Sequence, residues 1–245
     1  MMSPRPLVYM DHWALSDISG DAKLHGRMLR ILQRGTLLFS SMNLMETARA
    51  KGATLENIAS FLDDVGDRWA PISLNSTEVG LRERAGILEP WRDEQIPLWV
   101  RHAPRVDGKL SKLVRRGQEP WAAEALKRWE QEEGAAISAM TSVARERVRK
   151  GTLKLDGWSD VPDVLDAHGV FATVLQRYAR GTLKVERHQI DDLLHLVVPV
   201  AHADVVFLDR KTKSLLERMN TRAKVFSKRE IEAAFQQLEA LLDVA

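Results

Sequence analysis

Four carboxylates in the sequence lie at or near the ends of predicted helices and strands. They are Asp11, Glu46, Asp192 and Asp209, with Asp191 as an alternative to Asp192. Carboxylates gathered at one place repel one another, so such a cluster is costly unless it binds cations. The chain has no cysteine, and hard oxygen ligands favour Mg²⁺ or Mn²⁺. The chemistry that suits this site is phosphodiester hydrolysis, because metal ions activate water and stabilise charge on the attacking and leaving oxygens.

The same acids also have a purely structural explanation. Asp191 and Asp192 lie at a predicted helix start, where negative charge is favoured by the helix dipole. Asp209 is placed to cap the helix that follows it. Glu46 differs, because its predicted helix is otherwise largely apolar, and this favours a functional role.

Predicted strands and helices alternate through the first third of the chain. An apolar run over residues 6–10 predicts a buried strand that ends at Asp11. The second strand, residues 36–39, precedes a helix that begins at Ser40 or Ser41 and continues through Glu46 to about Lys51. Further helices are predicted over 21–34 and 54–65, a strand over 70–74, and a helix from residue 75 or 76. This alternation predicts an α/β fold with a mostly parallel sheet.

The C-terminal part returns to the same pattern. An amphipathic helix is predicted over residues 161–180, and an apolar helix begins at Asp191 and Asp192. A β-branched run then forms a strand whose tip is Asp209. A helix over 213–219, a strand over 223–226 and a helix over 228–242 complete the chain. Ligands of open parallel sheets bind at the carboxyl ends of the strands, which is where Asp11 and Asp209 are predicted to lie.

The middle of the chain has a different composition. Four of the nine prolines and four of the seven tryptophans fall between residues 90 and 129. We therefore expect residues 87–160 to form a helical insertion in an α/β domain made of residues 1–86 and 161–245. Between residues 101 and 154 there are 13 Lys and Arg against 7 Asp and Glu, although the net charge of the whole chain is only +2. A basic middle on an acidic body is typical of a protein that binds a polyanion, and also of solvated helical faces.

The composition also bears on location. The short apolar run near the N-terminus predicts no signal peptide, and no apolar segment is long enough to predict a membrane span. The simplest expectation is a cytoplasmic protein, with which the lack of cysteine agrees.

The acids and their surroundings resemble the PIN-domain ribonucleases. The resemblance is carried by Tyr-Met-Asp11, Ser41-Met-Asn-Leu-Met-Glu46, Asp191-Asp192-Leu-Leu-His and Asp204-Val-Val-Phe-Leu-Asp209, and it covers roughly residues 5–80 and 185–242. It implies a Rossmann-like α/β sandwich that binds Mg²⁺ or Mn²⁺ and cleaves single-stranded RNA. Asp11, Glu46 and Asp192 then look like metal ligands, and Asp209 looks like the fourth acid, which ligates a metal or orients the attacking water. Many such proteins are toxins, so an antitoxin-like partner is a further expectation, as is a homodimer.

The chain departs from the family pattern at two places. His12 and Trp13 follow the first Asp where a small hydroxyl residue or Asn is usual, and Phe207 stands where Thr or Ser commonly precedes the last acid. The insertion also makes the chain longer than a compact toxin, which indicates a divergent member. These departures favour an alternative function, a catalytically silent PIN-like module that binds RNA or a protein. Asp191 and Asp192 cannot both face a metal, because neighbouring helical positions are about 100° apart.

Basic and aromatic residues supply candidate RNA contacts. Phosphate-binding residues position a strand without reading its sequence, and the candidates are Lys109, Lys112, Arg115, Arg116, Arg210 and Lys211. Tryptophans of the insertion can stack on bases or form a helical core, and the core is the more common role for Trp91, Trp99, Trp121 and Trp129. We expect His195, one turn after Asp192, to pack or face solvent rather than act at the site. Asp204 should lie at the opposite end of its strand from Asp209.

Overall fold

Five parallel strands form one sheet at the centre of the protein. The computed structural model describes residues 3–93, 108–117, 166–179, 187–216 and 221–244 with scattered positions between 119 and 150; for some helical residues, including 187–194, it describes only the backbone. The strands are β1 (Leu7–Met10), β2 (Thr36–Ser40), β3 (Trp69–Ile72), β4 (Val205–Phe207) and β5 (Lys224–Phe226). Their order in the sheet is β3-β2-β1-β4-β5, and every pairing is parallel. The predicted α/β class with a parallel sheet is confirmed.

Helices connect the strands and cover both faces of the sheet. Between β1 and β2 lie α1 (His12–Gly20) and α2 (Ala22–Leu32), between β2 and β3 lie α3 (Ser41–Arg49) and α4 (Gly52–Val65), and α5 (Ser76–Arg84) follows β3. The later helices are α6 (Leu110–Arg116), α7 (Ala167–Ala179), α8 (Arg187–His202), α9 (Arg210–Leu216) and α10 (Ile231–Val244), with a short 3-10 helix at Lys228–Glu230. Parallel strands require such crossover connections.

Alternating side chains of the strands build two separate cores. Leu7 and Tyr9 of β1 face one core, which α5, α7 and α8 complete. Val8 and Met10 face the other core, with residues of α1, α2, α4 and α10. Successive side chains of a strand point to opposite faces, so a sheet covered on both sides needs the uninterrupted apolar runs that the sequence shows.

Several helix starts differ from the sequence prediction, and two of them concern the candidate acids. Helix α1, which the sequence analysis did not predict, begins directly after β1 at His12. The backbone of α8 is helical from Arg187 onward, so the prediction that Asp191 and Asp192 begin the helix is wrong. Arg, His, Gln and Ile at 187–190 are compatible with helix, and the two aspartates lie in its second turn, away from the free amide groups of the first turn.

Part of the predicted insertion contacts the α/β core. Trp91 is 3% exposed within the first core, and Arg92 forms an antiparallel bridge with Ile72 of β3. Trp91 therefore has the core role that is the more common one for a tryptophan. Trp99, Trp121 and Trp129 lie outside the described residues.

Helix α6 also packs on the body of the protein. Leu110 and Val114 are buried in the second core, where α6 contacts α4 and α3. A Cβ atom on Gly117 would lie 2.5 Å from Cβ of Ala48, so glycine permits this close approach of α6 to α3. Residues 94–107 and 151–165 lie outside the described residues.

An ion pair between Lys213 of α9 and Glu230 joins two connections that follow neighbouring strands. The hydrogen bond from Lys213, with others from the Ser227 hydroxyl and amide, lowers the pKa of Glu230 from 4.5 to about 2. The stabilisation is therefore fully present above a pH of about 4.5 and is lost as the pH falls towards 2.

We expect Glu230→Gln to lower the free energy of unfolding at pH 7 and to have progressively less effect between pH 5 and 2. Glutamine keeps an oxygen for the capping hydrogen bonds with Ser227 but lacks the charge. Urea unfolding of both proteins across this pH range measures the difference. Glu78→Gln, which breaks the exposed pair with Arg82, is the control and should change stability by only a few tenths of a kcal/mol. If the effect of Glu230→Gln on the free energy of unfolding stays constant from pH 7 to pH 2, the charge of Glu230 is not the source of the stabilisation.

Candidate active site at the carboxyl edge of the sheet

The strand order reverses between β1 and β4, and two candidate acids lie at this point. Asp11 directly follows β1, and Asp209 lies two residues beyond β4. A crevice forms at the carboxyl ends of the strands where the order of a parallel sheet reverses, and ligands of open α/β sheets bind there. The predicted positions of Asp11 and Asp209 at strand tips are therefore confirmed, and the structure makes the two strands neighbours.

Backbone hydrogen bonds fix the position of Asp11 from both sides. Its amide donates to the carbonyl oxygen of Phe207 in β4 at 3.1 Å. On the other side, Nδ2 of Asn43 in α3 donates to the carbonyl oxygen of Met10 at 2.9 Å. Leu38 pairs with Tyr9 in the sheet. Ser40 and Asp11 each lie two residues farther along their chains, so they are side by side. Asp11 is thus held between the strands that lead to the other candidate acids.

Asp11 and Asp209 also cap helices. Oδ1 of Asp11 accepts a hydrogen bond from the amide of His12 at 2.5 Å. Oδ1 of Asp209 accepts from the amides of Lys211 and Thr212 at 2.8 and 3.1 Å, and Oδ2 accepts from the Thr212 hydroxyl. The capping role considered for Asp209 is therefore real. Capping does not use every acceptor, because a carboxylate has about four lone-pair sites.

A buried polar network connects the end of β1 to the start of α3. The Tyr9 hydroxyl lies 3.2 Å from Oγ of Ser40. Ser40 caps α3 by accepting from the amide of Asn43 at 3.2 Å, and Oδ1 of Asn43 accepts from the amide of Ser40 at 2.9 Å. The predicted helix start at Ser40 or Ser41 is confirmed, and α3 carries Glu46 in its second turn.

The charges of Asp11 and Glu46 both act on the buried phenol of Tyr9. Burial is the main cause that raises the pKa of Tyr9, and the negative charges of Asp11 and Glu46 raise it further. Both carboxylates therefore lie close enough to the phenol to act on it electrostatically. Tyr9 stays protonated at physiological pH and adds no third negative charge beside the two acids.

The remaining candidate acids, Asp191 and Asp192, lie within α8, and their side chains are outside the described residues. Among the residues that the structure describes, no group of three His, Cys, Asp or Glu side chains is arranged to hold a metal ion. The candidate donors that the structure describes are nevertheless all carboxylates. Asp11 and Asp209 lie at adjacent strand tips, and the charge of Glu46, like that of Asp11, acts on the Tyr9 phenol. This donor type suits Mg²⁺ or Mn²⁺.

The two departures from the PIN pattern have different structural consequences. Nδ1 of His12 and Nε1 of Trp13 are buried and have no hydrogen-bond partner in the described part of the chain. Burial lowers the pKa of His12. Phe207 is fully buried and packs edge-on against Trp13, with ring centroids 6.3 Å apart. The hydroxyl next to Asp209 comes from Thr212, not from position 207.

Two other residues lie where the sequence analysis placed them. His195 is buried in α8, and burial lowers its pKa to about 4, so the imidazole is neutral at physiological pH. Asp204 precedes β4 at the amino edge of the sheet, where it accepts a hydrogen bond from the amide of Leu7 at 2.8 Å.

The candidate phosphate-binding residues fall into two groups. On α6, Arg115 pairs with Glu56 at 3.1 Å and Arg116 pairs with Glu119 at 3.1 Å. Lys109 is exposed directly before α6, and Lys112 lies within it. Arg210 and Lys211 are exposed in the first turn of α9, next to Asp209. The second group is therefore adjacent to one of the candidate acids.

Sequence reasoning identified Ser40 only as a possible start of α3 and missed the other polar residues near the acids. Tyr9, Ser40, Asn43 and Thr212 each contact the ends of the strands or the acids themselves. The pattern Ser40-x-x-Asn43 resembles a capping box, and Thr212 stands three residues after Asp209 at the position that an N-cap contacts. These signals were present in the sequence, whereas the contact between Tyr9 and Ser40 depends on strand register.

The fold and the acids define an α/β protein with a five-stranded parallel sheet and a pair of aspartates at its switch point. Comparisons with models of protein families, with curated proteins and with solved structures found no match. Within the described residues, no helix is both long and apolar enough to cross a membrane.

Proposed function

We propose that the protein is a Mg²⁺- or Mn²⁺-dependent ribonuclease of the PIN-like type that hydrolyses RNA phosphodiester bonds at the carboxyl edge of its sheet. The observation that supports this proposal best is the position of Asp11 and Asp209 at the switch point between β1 and β4. Glu46, whose charge acts on the same buried phenol as that of Asp11, supplies a third carboxylate in the neighbourhood.

The residues of the chain have separable roles in this reaction. Asp11 and Asp209 would hold the cation from the two strand tips, and Glu46 of α3 and Asp192 or Asp191 of α8 would supply the further ligands, because the described acids alone do not form a three-ligand group. A bound divalent cation supplies Lewis-acid chemistry, which favours deprotonation of the attacking water and stabilises negative charge on phosphate oxygens. The hydrogen bonds of Asn43 and Phe207 hold the backbone around Asp11 in place before substrate binds, so little reorganisation is needed during the reaction.

The alternative is a catalytically silent PIN-like module that binds RNA or a protein. One observation favours it: both oxygens of Asp209 accept hydrogen bonds from its own helix, which explains the acid without a metal. The two functions differ in metal binding, since a silent module needs no cation at the acids.

Metal removal tests the proposal directly. Labelled single-stranded RNA should be cleaved by the protein with Mn²⁺ or Mg²⁺ and should stay intact with excess EDTA, and calorimetric titration with Mn²⁺ should show saturable binding. Cleavage that persists in EDTA would exclude a metal-dependent reaction. Absence of both cleavage and Mn²⁺ binding would favour the silent module.

A further inference from the structure

Four basic residues lie on one side of the candidate active site, and we name them the cationic rim. Arg210 and Lys211 begin α9 after β4, and Lys228 and Arg229 follow β5. All four are exposed. Both connections leave the sheet at its carboxyl edge, so the rim extends from Asp209 across the β4–β5 side of that edge.

Ion pairs neutralise some of the charges near the rim and leave others uncompensated. Lys213 pairs with Glu230, and Lys228 pairs with Asp17 of α1 at 2.5 Å. Arg210, Lys211 and Arg229 have no ion-pair partner among the described residues. Three of the four rim charges are therefore not neutralised by an ion pair within the described residues.

In the other basic group, the two arginines are compensated by ion pairs. Arg115 of α6 lies near both Glu56 and Asp63, at 3.1 and 3.6 Å, and Arg116 pairs with Glu119. Within the described part of the chain, Arg210 and Lys211, which directly follow Asp209 on the β4–β5 side, thus have no ion-pair partner. A polyanion that reaches the acids gains more from approaching across β4 and β5 than from crossing α6.

The composition of the rim also indicates the kind of partner. Protein interfaces usually contain a buried apolar centre. The exposed large hydrophobic side chains of the described residues are Leu81, Ile87, Leu88 and Val143, and none of them belongs to the rim. Contacts with a nucleic-acid backbone need charges but no apolar centre.

We propose that the backbone of single-stranded RNA lies across the β4–β5 side of the carboxyl edge, where Arg210, Lys211 and Arg229 contact its phosphates. This inference rests on the proposed function for the orientation of the strand towards Asp11 and Asp209. It adds Arg229 to the phosphate contacts and places the RNA strand on one side of the site. The contacts are independent of base sequence, because the rim offers charge only.

Two variants with the same change in charge test the rim. Lys211→Gln with Arg229→Gln removes two rim charges, and Lys224→Gln with Arg34→Gln removes two exposed charges at the amino edge, where Lys224 begins β5 and Arg34 precedes β2. Fluorescence anisotropy of labelled oligouridine in EDTA measures binding without metal or cleavage. Thermal unfolding of each variant checks that the fold is retained.

We expect the rim variant to bind oligouridine about twentyfold more weakly at 0.1 M salt and the control variant to bind nearly as the wild type does. Each lost phosphate contact should make the slope of log K against log salt less steep by about 0.7. The slope for the rim variant should therefore be less steep than that of the wild type by about 1.4. Equal weakening in both variants, or unchanged binding in the rim variant, would overturn the proposal. Binding of poly-glutamate but not oligouridine by the wild type would also overturn it, in favour of an acidic protein partner.

The design separates this inference from the proposed function. If the wild-type protein binds oligouridine through the rim but cleaves no RNA, the inference about the rim stands and the proposed ribonuclease function fails. If the wild-type protein cleaves RNA with Mn²⁺ and the rim variant binds RNA normally, the proposed ribonuclease function stands and the inference about the rim fails.

Discussion

Replacing Asp11 or Asp209 with asparagine should reduce metal-dependent RNA cleavage by roughly a thousandfold, which corresponds to about 4 kcal/mol of transition-state stabilisation. Asparagine keeps a side-chain oxygen but loses the negative charge that favours a divalent cation. Both residues are N-caps, and asparagine caps a helix about as well as aspartate. The free energy of unfolding should therefore change by less than about 1 kcal/mol. Cleavage rates with saturating Mn²⁺ and urea unfolding measure the two effects separately.

Asp21→Asn is the matched control for this prediction. Asp21 caps α2 by accepting hydrogen bonds from the amides two and three residues later, at 2.9 and 3.0 Å. Asp209 accepts from the corresponding amides of α9 at 2.8 and 3.1 Å. The two acids have the same capping geometry, but Asp21 lies in the connection between α1 and α2 and follows no strand directly. Asp21→Asn should keep full cleavage activity and a similar stability.

The outcome decides between chemistry and capping. If Asp11→Asn and Asp209→Asn cleave RNA at the wild-type rate, both aspartates are caps and nothing more, and the ribonuclease assignment fails. If all three variants lose activity together with stability, the loss reflects helix capping. Only loss of activity at Asp11 and Asp209 with retained stability supports a role in metal binding.

The positions of Asp11 and Asp209 could be predicted because each follows an apolar run. Leu7–Met10 and Val205–Phe207 are buried strands, and a polar residue at the end of such a run marks the strand tip. Local periodicity is enough for this inference. The start of α8 was predicted too late because residues 187–190 contain only one apolar side chain, Ile190, and so show no apolar repeat.

Helix α1 was missed for a related reason. Its sequence, HWALSDISG, contains Ser, Asp and Gly, which favour helix only weakly. Burial of Ala14, Leu15 and Ile18 in the second core stabilises the helix instead. Asp11 was interpreted by its possible chemistry, so its capping of α1 was not considered.

The network around Asp11 could not be predicted from local sequence. Tyr9 and Ser40 are 31 residues apart, and their contact follows from the pairing of β1 with β2. Which residues of two adjacent strands lie side by side can be stated only when the register of the strands is known. The acids were therefore predictable, whereas the groups that position them were not.

Position 207 does not supply the hydroxyl that PIN domains commonly have before the last acid. The side chain of residue 207 points into the second core, where Trp13 and Phe235 surround it. A hydroxyl at this position would face apolar rings. Thr212 instead brings its hydroxyl to Oδ2 of Asp209 from the first turn of α9.

Phe207→Thr, which introduces the residue type that PIN domains commonly have at this place, should therefore destabilise the protein by about 4 kcal/mol and should not increase cleavage. Removing a buried phenyl ring leaves a cavity, and the new hydroxyl would be buried without a partner. Urea unfolding measures the loss of stability, and Phe207→Leu, which stays apolar, should lose less.

Thr212→Val removes the hydroxyl that contacts Asp209 and should lower the cleavage rate with only a small change in stability. If Phe207→Thr is as stable as the wild type and cleaves RNA faster, position 207 does reach Asp209, and the role assigned to Thr212 is wrong.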